Sequence, residues 1–464
     1  MKFIILFILF ISCSHAFSYK FYGSALSFSK LGFNHSKIDL QKGKFPTESY
    51  SFLDAGMRFD LDLDYGFNAG IGGYVGGVAF DGTKFVKTTE GDFLNPNGVI
   101  YNLFGFWTGS NATGVASSRT AKYYSLTEAN IGYKYLNRID LKLGRFKLGG
   151  DLGTDWLTSY VQGVGISSRI IPDTALWFFA INKRAFVGGS WFKDFKYINP
   201  NLPFDNGKGF YIYAGGVNIR HKNINLNAYI YAQDSRFIAP GFRFKYDTKP
   251  DFNSQGFRSK TELLGLFMTH FKPGMRKTTG FNNYAIGTTG LPDSYFQIGS
   301  NSSLPHIGKG GISLMFKQTF YINAYNFGFL VYKNFGNPNE FLGSIGDPTG
   351  YDNWNNSIYD SSTWNNMFRR DSLSGFLFLN NSFGKFSYGF LGRITHAPRA
   401  NEQALSLSVN YLFFHNTNAG FILTYYNNTT FKGYTLGLPP QVVTLKNTLS
   451  QDRSFIQTYI NYNF

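Results

Sequence analysis

The stretch DRSFIQTYINYNF, residues 452–464, decides the fold, because its side chains alternate in character down to the last residue. Phe464, Tyr462 and Ile460 share one face with Thr458, and mostly polar residues occupy the other face. A period of two residues is the signature of a β-strand. An aromatic residue at the end of the chain predicts a terminal strand that is paired with another strand and is not frayed.

The same alternation recurs along the chain, most clearly in MRFDLDLDYGF (57–67), ALSLSVNYLF (404–413), GFRFKYD (241–247) and KFSYGFLGR (385–393). In the first of these segments Arg58, Asp60, Asp62 and Asp64 share one face. Carboxylates on one face could not point into lipid or a dry core without a large desolvation cost. The pattern therefore predicts strands with one apolar face and one face in water.

The composition agrees with a barrel in a membrane and not with membrane helices. Aromatic residues make up 19% of the 464 residues, yet only 43% are hydrophobic and the mean hydropathy is −0.18. A transmembrane helix needs about 18 or more consecutive apolar residues, and the sequence has no such run. A transmembrane barrel needs only one apolar face per strand, with aromatic girdles at both interfaces.

We predict an all-β fold, a transmembrane antiparallel β-barrel of about 18 strands with short periplasmic turns and long extracellular loops. Sixteen strands is the alternative, because 158–170 and 281–288 are ambiguous. Short turns are expected near Tyr65-Gly66, Asn137, Ile171–Asp173, His221-Lys222, Asn323, Asn381–Phe383 and His415-Asn416. The predicted strands are 19–31, 51–65, 66–80, 122–136, 138–148, 158–170, 174–184, 209–220, 223–234, 238–247, 258–271, 310–322, 324–335, 372–381, 384–394, 402–412, 417–428 and 453–464.

The N-terminal segment MKFIILFILFISCSHAFS has a basic start, a short apolar run and small residues before Ala16. This is the pattern of a secretory signal peptide, so we predict a signal at 1–16 and an outer-membrane β-barrel at 17–464. Lipoprotein processing at Cys13 is the alternative. Cys13 is the single cysteine, so the predicted mature chain has no disulfides.

The formal net charge of +16 comes from scattered Lys and Arg, with no basic run. Together with the export signal, this excludes nucleic acid as the expected partner. The basic residues could face anionic lipid headgroups or line a path for anions.

No motif of an enzyme or of a cofactor or metal site is present. The histidines form no H-E-x-x-H pair, and neither a G-x-S-x-G elbow nor a P-loop occurs. We therefore predict no catalytic residues, cofactor or metal. A barrel enzyme with a Ser and a His on adjacent strands stays open as a remote alternative.

The remaining feature with functional meaning is the set of charged side chains expected on the inner face of the barrel. In IDLKLGRF (139–146) the phase slips at Gly144-Arg145, which predicts a β-bulge that turns Arg145 towards the lumen. The alternative is that inward charges pair across neighbouring strands and only brace the wall. The candidate pore-lining or solute-binding residues are Arg58, Asp60, Asp62, Lys142, Arg145, Arg220, Arg243, Lys245, Lys317 and Arg393, with Asp64 and Lys385 also predicted to face inward.

Several linked segments carry a family resemblance: FYGSALSFSKLGFNHSKID (21–39), FKYDTKPDFNSQGFRSKT (244–261), VYKNFGNPNEFLGSIGDPTGYDNWNNSIYD (331–360) and FLGRITHAPRANEQALSLSVNYLF (390–413). With the last strand, the chain resembles the Helicobacter outer membrane (Hof-type) family along nearly its whole length. The family is distantly similar to OprD-type porins, eighteen-stranded monomers whose basic residues guide carboxylate solutes. The resemblance implies a Gram-negative outer-membrane location. The C-terminal residues Phe464, Tyr462 and Ile460 resemble the assembly signal of such barrels.

We expect a porin-like channel for small hydrophilic, anionic or carboxylate solutes, narrowed by an inward-folded loop at 81–121 or 185–208. A surface-binding adhesin is the alternative, motivated by loops 336–371 and 429–452 with Tyr351, Trp354, Tyr359 and Trp364. Expected partners are outer-membrane lipid, lipopolysaccharide, the barrel-assembly machinery and small solutes. The sequence does not distinguish a monomer from a trimer.

Overall fold

The computed structural model describes residues 18–92, 124–152, 155–157, 160–188, 191–197, 211–233, 237–271, 310–336, 348–351, 366–368, 371–438 and 441–464. Its strands are β1 Ser18–Gly32, β2 Tyr50–Asp62, β3 Phe67–Asp81, β4 Tyr124–Tyr135, β5 Ile139–Lys147, β6 Tyr160–Ser168, β7 Thr174–Gly188, β8 Trp191–Tyr197, β9 Ile212–His221, β10 Ile224–Gln233, β11 Phe237–Asp247, β12 Phe257–His270, β13 Gly310–Ile322, β14 Tyr325–Gly336, β15 Leu373–Phe383, β16 Phe386–His396, β17 Ala400–Phe414, β18 Thr417–Thr430, β19 Thr435–Leu438, β20 Gln441–Thr444, β21 Leu449–Asp452 and β22 Phe455–Asn463.

Eighteen of these strands form one closed antiparallel barrel, as predicted. Each barrel strand pairs with its neighbours in chain order, and β1 pairs with β22 to close the sheet. The short strands β8, β19, β20 and β21 lie outside this count and were not among the predicted strands. β8 extends β7 as a hairpin, β21 pairs with the end of β18, and β19 and β20 pair with each other in a separate two-stranded sheet.

The alternation of side chains explains why these segments form a barrel wall. On β17, Leu405 and Tyr411 lie on the outer face and are exposed, whereas Ser406 on the inner face is buried. On β22 the exposed Ile460 and Tyr462 likewise lie on the outer face. Apolar side chains on the outside of a closed sheet fit a lipid environment, because closure leaves no unpaired strand edge.

Short turns join the strands at one end of the barrel, here called the turn end. The first residue of β1 and the last residue of β22 also lie at this end. Asn137 and Asn323 have φ of 55° and 53°, a conformation that Asn tolerates better than most residues. The turn predicted at Asn381–Phe383 was wrong by two residues, because β15 continues to Phe383 and Gly384 provides the positive φ of 55°.

Two further boundaries differ from the prediction. β2 ends at Asp62, and Asp64 lies in a short 3-10 turn, Asp64–Gly66, instead of on the inner face of a strand. Lys385 also lies in a turn, where its Nζ donates to the carbonyl of Phe413 at 3.3 Å. Both residues were expected on strands, and turns replace the strand ends because Gly66 and Gly384 adopt positive φ.

The other end, called the loop end, carries the longer connections. A small apolar cluster of Ile38, Phe45, Phe52 and Leu436 packs there. No helix in the described part of the chain is long and apolar enough to cross a membrane. The predicted signal peptide, residues 1–16, and the ambiguous segment 281–288 lie outside the described residues.

Candidate functional site

The connection between β5 and β6 folds into the barrel and fills part of its interior. Leu152, Trp156 and Leu157 on this connection are buried. They pack in one apolar cluster with inward-facing residues of the wall, which include Trp177 and Phe179. Burying each such side chain contributes roughly 1.5–3 kcal/mol, so the described residues 148–152 and 155–157 are held firmly inside the barrel. We call these residues the first inner loop.

Polar contacts hold the first inner loop at its tip. Trp156 Nε1 donates to the hydroxyl of Tyr229 at 3.1 Å. The Asp151 carboxylate lies 2.5 Å from Nε of Arg169, at the turn end of β6. The loop therefore reaches from the loop end of β5 far down the lumen.

Asp155 on the first inner loop forms an ion pair with Arg243 on β11. The distance from Asp155 Oδ1 to Arg243 Nε is 3.0 Å. Burial raises the pKa of the Asp155 carboxyl, and the nearby charges of Arg243 and Lys245 oppose that rise. The second carboxylate oxygen of Asp155 has no hydrogen-bond partner among the described residues.

Two described parts of the connection between β14 and β15, 348–351 and 366–368, also pack inside the barrel, and we call them the second inner loop. Nη2 of Arg243 donates to the carbonyl of Pro348 at 2.5 Å, so Arg243 touches both inner loops. Met367 is fully buried in the same interior cluster. The Tyr351 ring stacks on Phe376, with 5.5 Å between centroids.

Glu402 on β17 attaches the second inner loop to the wall. Its Oε1 accepts hydrogen bonds from the backbone and side-chain nitrogens of Asn366, at 2.8 and 2.6 Å, and from the hydroxyl of Tyr426. Its Oε2 lies 2.6 Å from Nη1 of Arg393. Glu402 and Arg393 are both buried, so each compensates the charge of the other.

A charged cavity of about 400 Å³ lies between the tip of the first inner loop and the wall of β9 to β12. Asparagine side chains complete the lining, among them Asn218 and Asn225. Basic side chains outnumber carboxylates in this cavity, so its potential favours anions. Its basic residues are Arg220, Lys222, Arg243, Lys245 and Lys260, and its acidic residues are Asp151, Asp155 and Asp247.

The structure brings three of the predicted site residues, Arg220, Arg243 and Lys245, together in this cavity. Lys245 Nζ lies 3.6 Å from the carboxylate of Glu262, which also lies 3.0 Å from Lys260 Nζ. Glu262 therefore faces two lysines at once.

Other predicted residues lie on the opposite side of the barrel. Arg58 pairs with Asp60 at 2.8 Å and with Glu128 at 2.9 Å. The second contact passes over β3 at Gly72, where a Cβ would stand 3.1 Å from the Cβ of Arg58. Asp62 ends β2, and Lys142 lies on β5 opposite Gly132 and Gly165.

The β-bulge predicted at Gly144-Arg145 is absent, because the register with both β4 and β6 continues through these residues. Gly144 instead has φ of 117°, and a Cβ there would clash with the carbonyl of Ala129 at 2.3 Å. The irregularity is therefore a conformation that glycine permits and not an inserted residue. Arg145 donates to Gln162 and to the Leu126 carbonyl and stacks on Phe195 at 4.4 Å.

Lys317 and Arg393 are engaged in packing. Nζ of Lys317 lies 4.6 Å from the centroid of the Tyr351 ring, and Arg393 is buried beside Glu402. The Arg393 guanidinium is therefore closed off from a solute in the lumen.

Sequence reasoning missed Asp155, Glu128, Glu262, Lys260 and Glu402. Lys260 and Glu262 alternate correctly on β12, but consecutive apolar residues follow them and obscure the two faces. Asp155 lies in a loop, where no period shows its direction.

The prediction that a loop at 81–121 or 185–208 narrows the lumen falls largely on residues outside the described ranges and stays a prediction. Of the predicted segments 81–121 and 185–208, residues 93–121 and 198–208 lie outside the described residues, and 191–197 forms β8. The described inward folds are the first and second inner loops. Tyr351, expected to be exposed for surface binding, packs inside on Phe376, and Trp354, Tyr359 and Trp364 lie outside the described residues.

Comparisons with known proteins agree with this architecture. The model of a family described as "Putative outer membrane protein" matches residues 4–464. A search of curated proteins finds no match.

Three of the solved structures that are similar to this chain come from Acinetobacter baumannii and Pseudomonas aeruginosa. OccAB4 of Acinetobacter baumannii is 12% identical, covers 97% of this chain and 98% of its own, and has a TM-score of 0.59. OccK8 (OprE) of Pseudomonas aeruginosa is 12% identical, with 96% and 98% covered and a TM-score of 0.60. OccD3 (OpdP) of the same bacterium is 10% identical, with 96% and 91% covered and a TM-score of 0.56. These likenesses confirm the predicted fold.

Proposed function

The chain belongs to this family of outer membrane proteins, and from that premise we propose that it is a porin for small hydrophilic solutes with a preference for anions such as carboxylates. The family and the closed barrel place it in the outer membrane, and neither indicates an enzyme. Its structural neighbours are OprD/Occ-type porins, which supports a channel.

The observation that carries the anion preference is the charged cavity beside the first inner loop. Lys222, Lys245 and Lys260 line it together with Arg220 and Arg243. Fixed cations along a water-filled path raise the local concentration of anions and discriminate against cations. Arginine can also hold a carboxylate through two parallel hydrogen bonds.

The carboxylates in the cavity limit how tightly an anion binds. Asp155 in the cavity and Glu262 beside it already occupy part of the donor capacity of Arg243 and Lys245. Passage through a channel requires binding that is favourable enough for entry and weak enough for release. Partly paired cations meet both conditions.

The test is a planar-bilayer recording of the purified protein in KCl. We expect single-channel currents, and under a salt gradient a reversal potential of the sign that indicates chloride preference. Replacing Lys245 and Lys260 by Gln should reduce that preference, whereas K432Q, which removes an exposed charge from the β18–β19 connection, should leave it unchanged. Folded protein that carries no current would overturn the porin, and a cation-selective potential would overturn only the anion preference.

A further inference from the structure

The inner face of six adjacent barrel strands, β14 to β18 and β22, is almost free of charge. Within these fully described strands, the charged residues on the inner face are Arg393 and Glu402, which are buried and neutralise each other. This neutral wall differs from the wall of β9 to β12, where the charged cavity lies.

Asparagine side chains form two hydrogen-bonded groups along the neutral wall. Asn418 Nδ2 donates to Asn410 Oδ1 at 3.0 Å, and Asn461 Nδ2 donates to Asn418 Oδ1 at 3.3 Å. The hydroxyl of Tyr459 lies 3.1 Å from Asn410 Oδ1. A second group lies on β14 and β15, separated from the first by β16, and there Asn380 Nδ2 donates to Asn326 Oδ1 at 2.9 Å. We call Asn326, Asn380, Asn410, Asn418, Tyr459 and Asn461 the amide row.

The described residues of both inner loops have their anchors outside the amide row. Those of the first inner loop are Arg169, Tyr229 and Arg243, and those of the second include Phe376 and Glu402. All six residues of the amide row are only partly buried. Water and solutes in the lumen can therefore reach them.

The hydrogen bonds within the row use only part of its capacity. An asparagine side chain offers two N–H donors and a carbonyl oxygen that can accept twice. Asn410 Oδ1 accepts from two neighbours, yet its own amide nitrogen has no bond within the row. The row thus presents both donors and acceptors without a net charge.

We propose that the amide row is a binding track for uncharged polyhydroxylated solutes, that is, sugars. A sugar hydroxyl both donates and accepts, as an amide does, so adjacent hydroxyls can bond to adjacent asparagines. Neutral hydrogen bonds are weak enough individually for the solute to move from one to the next. This inference rests on the proposed porin function and adds a second class of solute, carried on a different wall from the anions.

The experiment measures the concentration of maltotriose that blocks half of the KCl current. A polyethylene glycol of similar size is the control blocker. Polyethylene glycol enters a pore according to its size and has almost no hydroxyls. In the wild-type channel maltotriose should block at a lower concentration than the glycol. In N410L/N418L the half-blocking concentration of maltotriose should rise about tenfold, since two amides are lost and one hydrogen bond contributes roughly threefold, and that of the glycol should not change.

N381L is the matched control, because Asn381 lies on the outer face of β15 and bonds to Tyr388. If N410L/N418L fails to show heat-modifiable migration, the single variant N461L at the end of the row gives the same test with a smaller shift. A wild-type channel that maltotriose blocks no better than the glycol overturns the amide row as a sugar track. Absence of any KCl current overturns the proposed porin instead, so the two failures are distinguishable.

Discussion

The ring of Phe464 lies over the backbone of Gly23, so closely that a Cβ on residue 23 would stand 1.9 Å from the ring. Gly23 and Phe464 also exchange two backbone hydrogen bonds, at 2.8 and 2.9 Å. The last residue of the chain therefore closes the barrel on its first strand. A side chain at this point would require the ring to move.

This closure predicts that Gly23→Ala destabilises the barrel through overpacking. The ring of Phe464, which also contacts Phe21 and Tyr462, would have to leave its position. We expect a loss of about 1–3 kcal/mol in the free energy of unfolding. Urea unfolding of the protein in lipid vesicles, followed by heat-modifiable migration on gels, measures it.

The double variant Gly23→Ala with Phe464→Ala is the control for this closure. Without the ring the new methyl group meets no obstacle, so the two substitutions together should cost less than the sum of their separate effects. Strict additivity would show that the contact between residues 23 and 464 does not limit stability.

The sequence was sufficient to predict the barrel wall, because lipid outside and water inside impose a two-residue period on every strand. The alternation around Leu405 and Ser406 shows this directly. All eighteen predicted barrel segments correspond to observed strands, and the errors lie at turns such as Gly384.

The interior was harder to predict, since it depends on loops that have no period. Nothing in the sequence around Trp156 indicates that its side chain turns inward. Because Trp156 is buried in the interior, the inward-facing wall residues that pack in the same cluster, such as Trp177, are apolar. Once both faces of a strand are apolar, the sequence pattern no longer distinguishes the lipid-facing side of the strand from the lumen-facing side. The role of Asp155 could not be predicted for the same reason.

A second prediction concerns the attachment of the second inner loop. Glu402→Gln removes the charge that compensates Arg393 and weakens the bonds to Asn366. Breaking a buried pair in this way costs about 3–5 kcal/mol. The free energy of unfolding should fall, and single-channel recordings should show more open-channel noise, because the loop is held less firmly.

A double variant separates these two effects. In Arg393→Met with Glu402→Met, an apolar pair of similar size replaces the ion pair, so most of the lost stability should return. The acceptor for Asn366 is still missing, and the excess noise should therefore persist. Noise that disappears together with the stability defect would show that Glu402 does not position the loop.

The last prediction concerns pH and rests on Asp155. Burial raises the pKa of this carboxyl above its ordinary value, so it becomes neutral at a less acidic pH than an exposed aspartate. As pH falls through that raised pKa, the charged cavity loses a negative charge but keeps its lysines and arginines. The preference for chloride, measured as the reversal potential under a KCl gradient, should increase. By linkage, the native state binds this proton more tightly than the unfolded chain, so the contribution to stability is present at low pH and lost as pH rises through the raised pKa.

Asp155→Asn should show the higher chloride preference already at neutral pH and should lack this part of the pH dependence. The same pH response in Asp155→Asn as in the wild type would assign the titration to another carboxylate.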